Sequence, residues 1–285
     1  MSTSDNESDS EVSVVNMFAE PEDYYPPSPP PTTATHTLLS GRTLTLRLIG
    51  HNPLWGHLLW NAGRIISHYL ERNAFLLKDA TVLELGAGAG LPSLVSSLLG
   101  AARVVVTDYP DPDLIQNLAW NIEHCLADAS SSPDASANLK EIPKDVITPL
   151  GYCWGADTTP LLSPLASSPS IPSPKFDILI LADLLFNHSE HAKLLSTIQL
   201  TLSHAPSAKA LVFFTPYRPW LLEKDLAFFD LCRKGGMSVE KVLEEKMEAV
   251  MFEEDRGDEE LRRTVFGYIV RWEGEGEEKV ETLNI

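Results

Sequence analysis

The sequence predicts an α/β fold, a parallel sheet with helices on both faces. Three observations predict it. Apolar runs of strand length, such as VLEL (82–85) and FDILILAD (176–183), alternate with stretches of helical periodicity. A glycine-rich turn, GAGAG (86–90), joins the first run to a helix-like segment. Two runs, ARVVVTD (102–108) and FDILILAD, end on an aspartate. In such sheets ligands bind outside the carboxyl ends of the strands, near the reversal of strand order. The glycine turn, Asp108 and Asp183 therefore point at one site.

The elements follow in order. Residues 1–35 contain no Lys or Arg, several acids and the run PPSPPP, so they are expected to form a flexible tail. Within them VVNMFAEPEDYY carries apolar residues that could dock on the domain. RTLTLRLIG (42–50) alternates apolar and polar residues, which suits a half-buried strand. Residues 54–70 have helical spacing, with Asn52 as N-cap and Pro53 in the first turn. TVLELG is the next strand and LPSLVSSLLG its helix. ARVVVTD leads to a helix over 113–126, with Leu114, Leu118, Ile122 and Leu126 on one stripe. Residues 127–139 read as a loop, and VITPLGYCWG (146–155) as an edge strand. Residues 157–174 are too rich in Pro and Ser for regular structure. FDILILAD is a strand buried on both faces, followed by a helix from His191, the strand KALVFFTPY (209–217) and the helix DLAFFDLCRKGG. VEKVLEEKM and RRTVFGYIVRWE are closing strands around the acidic stretch FEEDRGDEE. The folded domain is expected over 36–272, with an acidic tail at 273–285.

The chain has 285 residues, within the roughly 250–300 that one core serves well. Hydrophobic residues make up 44%, enough for a sizeable core. A net charge of −18 repels phosphate backbones, so no nucleic-acid partner is expected. It would attract a basic protein segment, although solubility alone explains such acidity. The three cysteines, Cys125, Cys153 and Cys232, form no CxxC, so neither a disulfide framework nor a metal site is expected. The opening MSTSDNESDSEV lacks the features of a signal peptide. No apolar run approaches the ~18 residues needed to span a bilayer. The expectation is a cytoplasmic monomer with no membrane partner.

The glycines do not suit phosphate. A P-loop needs Lys and Ser or Thr after its last glycine, whereas Gly90 is followed by Leu91 and Pro92. The dinucleotide pattern G-x-G-x-x-G fails from Gly86, where its third place holds Leu91, and from Gly88, where it holds Ser93. Glu84 stands two residues before Gly86, expected at the lip of the turn, where it would repel pyrophosphate and attract a cationic amino-acid group. Asp108, at the end of the next strand, can accept both ribose hydroxyls. A nucleoside carrying positive charge fits, and S-adenosylmethionine is such a compound. The glycines alone could be a structural turn, and Asp108 alone a turn former. Their joint arrangement is the pattern of the Rossmann-like, seven-stranded methyltransferases.

Longer blocks carry a closer resemblance. NPLWGHLLWNAG (52–63), TDYPDPDL (107–114), DLLFNHSEHAKLL (183–195), PYRPWLLEKDLAFF (216–229) and MFEEDRGDEE (251–260) resemble fungal methyltransferases that modify translation elongation factor 1-alpha. Those enzymes act on its N-terminal amine and the neighbouring lysine. They belong to a lysine methyltransferase group with Asp-x-x-Tyr/Phe after the fourth strand. The resemblance runs from about residue 17 to 272 and departs in the loops 127–139 and 157–174. It implies that Trp60 borders the cofactor and that Gly86, Ala87 and Gly88 contact its methionine part. It also implies that Asp108 holds the ribose, Trp154 lies near the adenine, and Ala182 closes the pocket.

Methyl transfer to nitrogen needs a neutral amine. An α-amine, with pKa about 7.7–8.0, is partly neutral at cellular pH, and a lysine at about 10.4 needs help. Asp183, which opens D-L-L-F, is the candidate to hold the ammonium or align the amine; it could instead be an N-cap or turn residue. An ordinary carboxylate is too weak a base, so orientation is its expected role. Phe186 can wall the acceptor channel, and Asn187 offers an amide oxygen. His188 and His191 in HSEH lack a third ligand for a metal. The alternatives are a small-molecule N-methyltransferase of nicotinamide type and a non-catalytic scaffold that binds the cofactor.

Overall fold

A computed structural model describes residues 29–50, 52–53, 55–130, 145–166 and 175–274; the side chains of 126–130 fall outside the description. The segment 14–25, residues 131–139 of the loop expected at 127–139, and residues 167–174 of the loop expected at 157–174 also lie outside it. In chain order the elements are β1 (Thr32–Thr37), β2 (Thr43–Leu48), α1 (Asn61–Arg72), β3 (Thr81–Leu85), α2 (Leu91–Leu98), β4 (Arg103–Asp108) and α3 (Pro112–Ser130). There follow β5 (Ile147–Gly151), α4 (Thr159–Ala166), β6 (Ile178–Ala182), α5 (His191–Thr201), β7 (Lys209–Phe214), α6 (Leu222–Lys234), β8 (Met237–Lys246), α7 (Glu259–Arg262) and β9 (Thr264–Trp272).

The main sheet has seven strands in the order β5-β4-β3-β6-β7-β9-β8. The pairs from β5 to β7 are parallel, and β9 is antiparallel to both neighbours. This is the expected α/β sheet with one strand reversed. Strand order turns back at β3, whose neighbours β4 and β6 lead to opposite edges. The register sets Leu85 beside Leu181 and Ala182 beside Phe213, so the turns after β3, β6 and β7 rise at one edge.

Alternation within the strands divides the core. Val82, Val104, Val106, Ile178, Ile180, Leu211 and Phe213 face one layer. That layer is filled by α1, α2, α3 and the β1–β2 hairpin. Leu83, Val105, Leu179, Leu181, Val212 and Phe214 face the other, against α4, α5 and α6. Each such side chain contributes about 1.5–3 kcal/mol when fully buried. Central strands read as unbroken apolar runs because both faces are covered.

Four expectations are corrected. Helix α1 starts at Asn61, not near residue 54, with Trp60 in the N-cap position; Asn52 and Pro53 lie in the preceding loop. In that loop Trp55 takes a left-handed conformation, φ 64°, which stops helical continuation. Residues Thr159–Ala166 are helical despite two prolines. Pro160 falls in the first turn, where no N–H bond is lost, and Leu161 and Leu165 are fully buried. Strand β1 was not foreseen and lies across residue 36, the expected start of the domain; it pairs along its length with β2. α3 continues to Ser130, beyond the expected loop start at 127. No helix among the described residues is long and apolar enough to cross a membrane.

Candidate active site

Two adjoining cavities open at the carboxyl edge of the sheet. The first, of about 500 Å³, is within the usual size of a small-molecule site. All eleven expected site residues line it: Trp60, Glu84, Gly86, Ala87, Gly88, Asp108, Trp154, Ala182, Asp183, Phe186 and Asn187. The second, of about 330 Å³, shares Trp55, Trp60, Asp183 and Phe186 with the first.

The floor of the first cavity is the turn between β3 and α2. Gly86 and Gly88 have φ 58° and 55°, a region costly for side chains. At Gly86 a Cβ would meet Leu184 Cδ2 at 2.6 Å and Trp154 at 3.3 Å. At Gly88 it would meet nothing within 4 Å, so this glycine leaves its face open to the cavity. Asp108 Oδ2 accepts the Gly88 N–H at 2.7 Å, and Oδ1 accepts that of Tyr109 at 2.7 Å. Each oxygen retains a further acceptor site.

Glu84 departs from expectation. It is 1% exposed, below the turn rather than at its lip. Its Oε2 accepts the Ser93 N–H at 2.9 Å, within the first turn of α2, and also the Ser93 hydroxyl. Burial lifts its carboxyl to about 8, against the pull of the Ser93 donors, which weakens the charge it can offer a cation. Burial raises the Asp108 carboxyl as well. Among the described residues lining this cavity the cation is Lys193, and it is paired with Glu190 at 2.9 Å. The lining thus offers open backbone and carboxyl oxygens, with no unpaired cation for a phosphate. S-adenosylmethionine fits this donor set through its ribose hydroxyls and its amino group.

Asp183 stands between the cavities and is 7% exposed. Its backbone is left-handed, φ 56°, which aspartate tolerates better than most residues. Oδ1 accepts the Thr215 N–H at 2.7 Å. Oδ2 accepts the Ala62 N–H at 2.9 Å and the Tyr217 hydroxyl at 3.3 Å. Helix α1 has no side-chain cap of its own, so Asp183 caps it from a distant strand end. Burial drives this carboxyl up to about 7 against the pull of those donors. The premise of an ordinary, weak carboxylate therefore fails, and Asp183 is poised near neutrality. Phe186 is 44% exposed at the cavity mouth, and Asn187 Oδ1 already accepts the Ser189 hydroxyl at 2.9 Å.

The second cavity is aromatic and acidic. Trp60 meets Tyr217 edge-on at 5.1 Å and Phe252 at 5.9 Å, so it is a partition between cavities as much as a cofactor wall. Asp183, Asp225 and Asp255 line the same space, with Arg218. Arg218 is tied to the Phe186 carbonyl at 2.7 Å. Aromatic faces with nearby carboxylates suit an ammonium group. Sequence reasoning missed Tyr217, Asp225 and Phe252 as site residues, although PYRPW and MFEEDRG lie in the blocks that carried the resemblance. Among the described residues, the His/acid cluster close enough to share a cation is His36, His68 and Glu71, and none of the three lines either cavity.

A family model described as lysine methyltransferase matches residues 40–159. The protein N-terminal and lysine N-methyltransferase of Neurospora crassa is 51% identical over 263 residues, covering 92% of this chain and 90% of its own. The protein of that name from Emericella nidulans is 48% identical, covering 91% and 96%. That of Schizosaccharomyces pombe is 41% identical, also covering 91% and 96%. Among solved structures, a candidate RNA methyltransferase from Pyrococcus horikoshii aligns with TM-score 0.50 at 17% identity, covering 78% of this chain and 90% of its own. A candidate S-adenosylmethionine-dependent methyltransferase from Streptococcus mutans aligns with TM-score 0.51 at 10% identity, covering 87% and 57%. These two share the fold.

Proposed function

This chain belongs to the protein N-terminal and lysine N-methyltransferases, and we propose that its substrate is translation elongation factor 1-alpha, modified at the N-terminal glycine left after Met removal and at the adjacent lysine. The enzyme uses S-adenosylmethionine, which supplies a methyl group on a positively charged sulfur. The observation that carries the substrate reading is the pair of cavities that share Asp183 and Trp60. One suits a nucleoside and the other an amine.

In this reading Asp108 accepts the ribose hydroxyls with the acceptor sites left beside Gly88 and Tyr109. The open face at Gly88, with Gly86 and Ala87, takes the methionine part. Trp154 and Ala182 close the walls, with the Trp154 indole already packed beside Gly86. Glu84 supports the turn from beneath by holding Ser93. The acceptor amine enters past Phe186, between Trp60, Tyr217 and Phe252. Asp183 aligns it; Asn187 braces the turn behind. Orientation and exclusion of water are the protein's main contribution. The acidic stretch around Asp255 favours a basic substrate segment. We infer a cytoplasmic monomer, a setting supported by three free cysteines.

The test is incubation with labelled S-adenosylmethionine and purified elongation factor, followed by peptide mapping. Label is expected on the first two residues of the mature factor. Label on free pyridines or small amines, with none on the factor, would refute the assignment.

A further inference from the structure

The amine must shed a proton before it can attack, and the second cavity holds a group that none of the roles above uses. Asp225, on α6, is 5% exposed and lines this cavity. Its Oδ1 lies 2.7 Å from His188 Nε2, and among the described residues this is its hydrogen bond. His188 belongs to the turn just after Asn187, and its side chain is 25% exposed. One end of the pair faces the cavity and the other reaches solvent. Asp183, by contrast, has both oxygens engaged by Ala62, Thr215 and Tyr217.

We infer that Asp225 and His188 form the proton exit of the acceptor site, with Asp225 contacting the incoming ammonium and His188 acting through it as a positioning and proton-holding residue. The inference rests on the second cavity being the acceptor site. The balance is simple. An N–H bond of the ammonium breaks and its electron pair stays on nitrogen. The proton goes to Asp225 Oδ2, while the hydrogen that Oδ1 already shares with His188 Nε2 is drawn onto Nε2. The imidazole gives up its Nδ1 hydrogen to water at its exposed side, so one N–H bond breaks on the ring as another forms. The nitrogen keeps the electron pair it uses for attack.

The charged neighbours are compatible with this traffic. His191 meets His188 edge-on at 5.5 Å and is bonded through Nε2 to the Leu185 carbonyl at 2.8 Å. Arg218 lies in the loop after β7, and Asp183, Tyr217 and Asp255 line the same cavity as Asp225. Burial raises the Asp225 carboxyl, and His188, Arg218 and His191 pull it back. The arrangement passes one proton outward without stranding a charge in the cavity.

The experiment uses the full chain and a synthetic peptide with a free N-terminal glycine followed by lysine. Calorimetry of peptide binding without cofactor, in two buffers of different ionisation enthalpy, counts protons released to the buffer. His188→Gln is expected to release fewer protons than the wild type, because the ammonium then has no path to solvent. Its turnover should fall about 10²-fold, the lower range for a positioned acid or base. Free imidazole should restore a good part of the rate to His188→Ala. Equal proton counts in wild type and His188→Gln, with no imidazole rescue, would overturn the inference. Phe252→Ala separates the two levels. If it weakens peptide binding while the proton counts stay equal, the relay alone fails. If it leaves peptide affinity unchanged, the acceptor cavity fails and the relay with it.

Discussion

The two cavities are built in different ways. The first takes its floor from one short stretch, Glu84 to Pro92, with Asp108 at the end of the next strand. Its chemistry lies largely in backbone: left-handed glycines, an N–H held by a carboxylate, a face left bare of Cβ. The second is assembled from side chains on four separate segments, at Trp55–Trp60, Asp183–Phe186, Thr215–Asp225 and Phe252–Asp255. A site made of backbone can be recognised from spacing alone. A site made of distant side chains needs the fold to bring them together.

The sharpest way to test that contrast is to cut the residue that belongs to both. Asp183→Ala should lower kcat/KM by about 10²-fold or more. It should also cost about 1–3 kcal/mol of stability, since three donors lose their acceptor. Asp183→Asn tells the losses apart. If it unfolds no earlier than the wild type and methylates as fast, the junction has no chemical role.

The next effect separates two glycines of the first cavity. Both have positive φ, so Ala costs each about 1–2 kcal/mol. Gly86→Ala also drives a methyl into Leu184, adding about 1–3 kcal/mol. Gly88→Ala adds a methyl to open space where the cofactor would lie. Thermal unfolding should therefore fall further for Gly86→Ala. Titration with S-adenosylhomocysteine should show Gly88→Ala at least about tenfold weaker, the equivalent of about 1.4 kcal/mol. Equal binding by Gly88→Ala and wild type would move the cofactor off this turn.

A smaller change is expected from Tyr217→Phe. It removes one donor to Asp183, so the carboxyl should titrate above its present value of about 7. The acidic limb of the rate profile should move to higher pH, with a several-fold loss of rate at neutrality. An unmoved limb would show that this hydroxyl is silent toward Asp183.

The subtlest effect concerns Glu84. Its folded pKa of about 8 exceeds the ordinary 4.5, so the folded state binds more protons between those values. Its contribution to stability is full below pH 4.5 and is lost as pH rises through 8. The wild-type melting temperature should therefore fall across that window more steeply than that of Glu84→Gln. Parallel curves would mean that Glu84 is ionised in the folded state.

Much of the fold was legible because β3, β4, β6 and β7 are covered on both faces and are built around apolar runs such as VVV (104–106) and ILILA (178–182). The helix Thr159–Ala166 was not, because two buried leucines outweigh proline chemistry that only the packed core reveals. Strand β1 was hidden by its polar sequence, TTATHT, which gains its place from β2. Within the site, Gly86, Gly88 and Asp108 announced themselves by spacing. Glu84 was found, but its depth was not, since depth is set by α2 closing over it. Tyr217 and Phe252 carry no local signal, because an aromatic in a loop is as readily a surface patch as a wall.

The reversed strand has a consequence for how such an enzyme can change. Because β8 ends and β9 begins at the same edge as the parallel strands, the connection between them must cross the rim, and it delivers Phe252 and Asp255 there. No other strand depends on the length of that connection. Insertions or deletions in it would fall at that rim, where they would reshape the second cavity and leave the turn from Gly86 to Gly90 as it is.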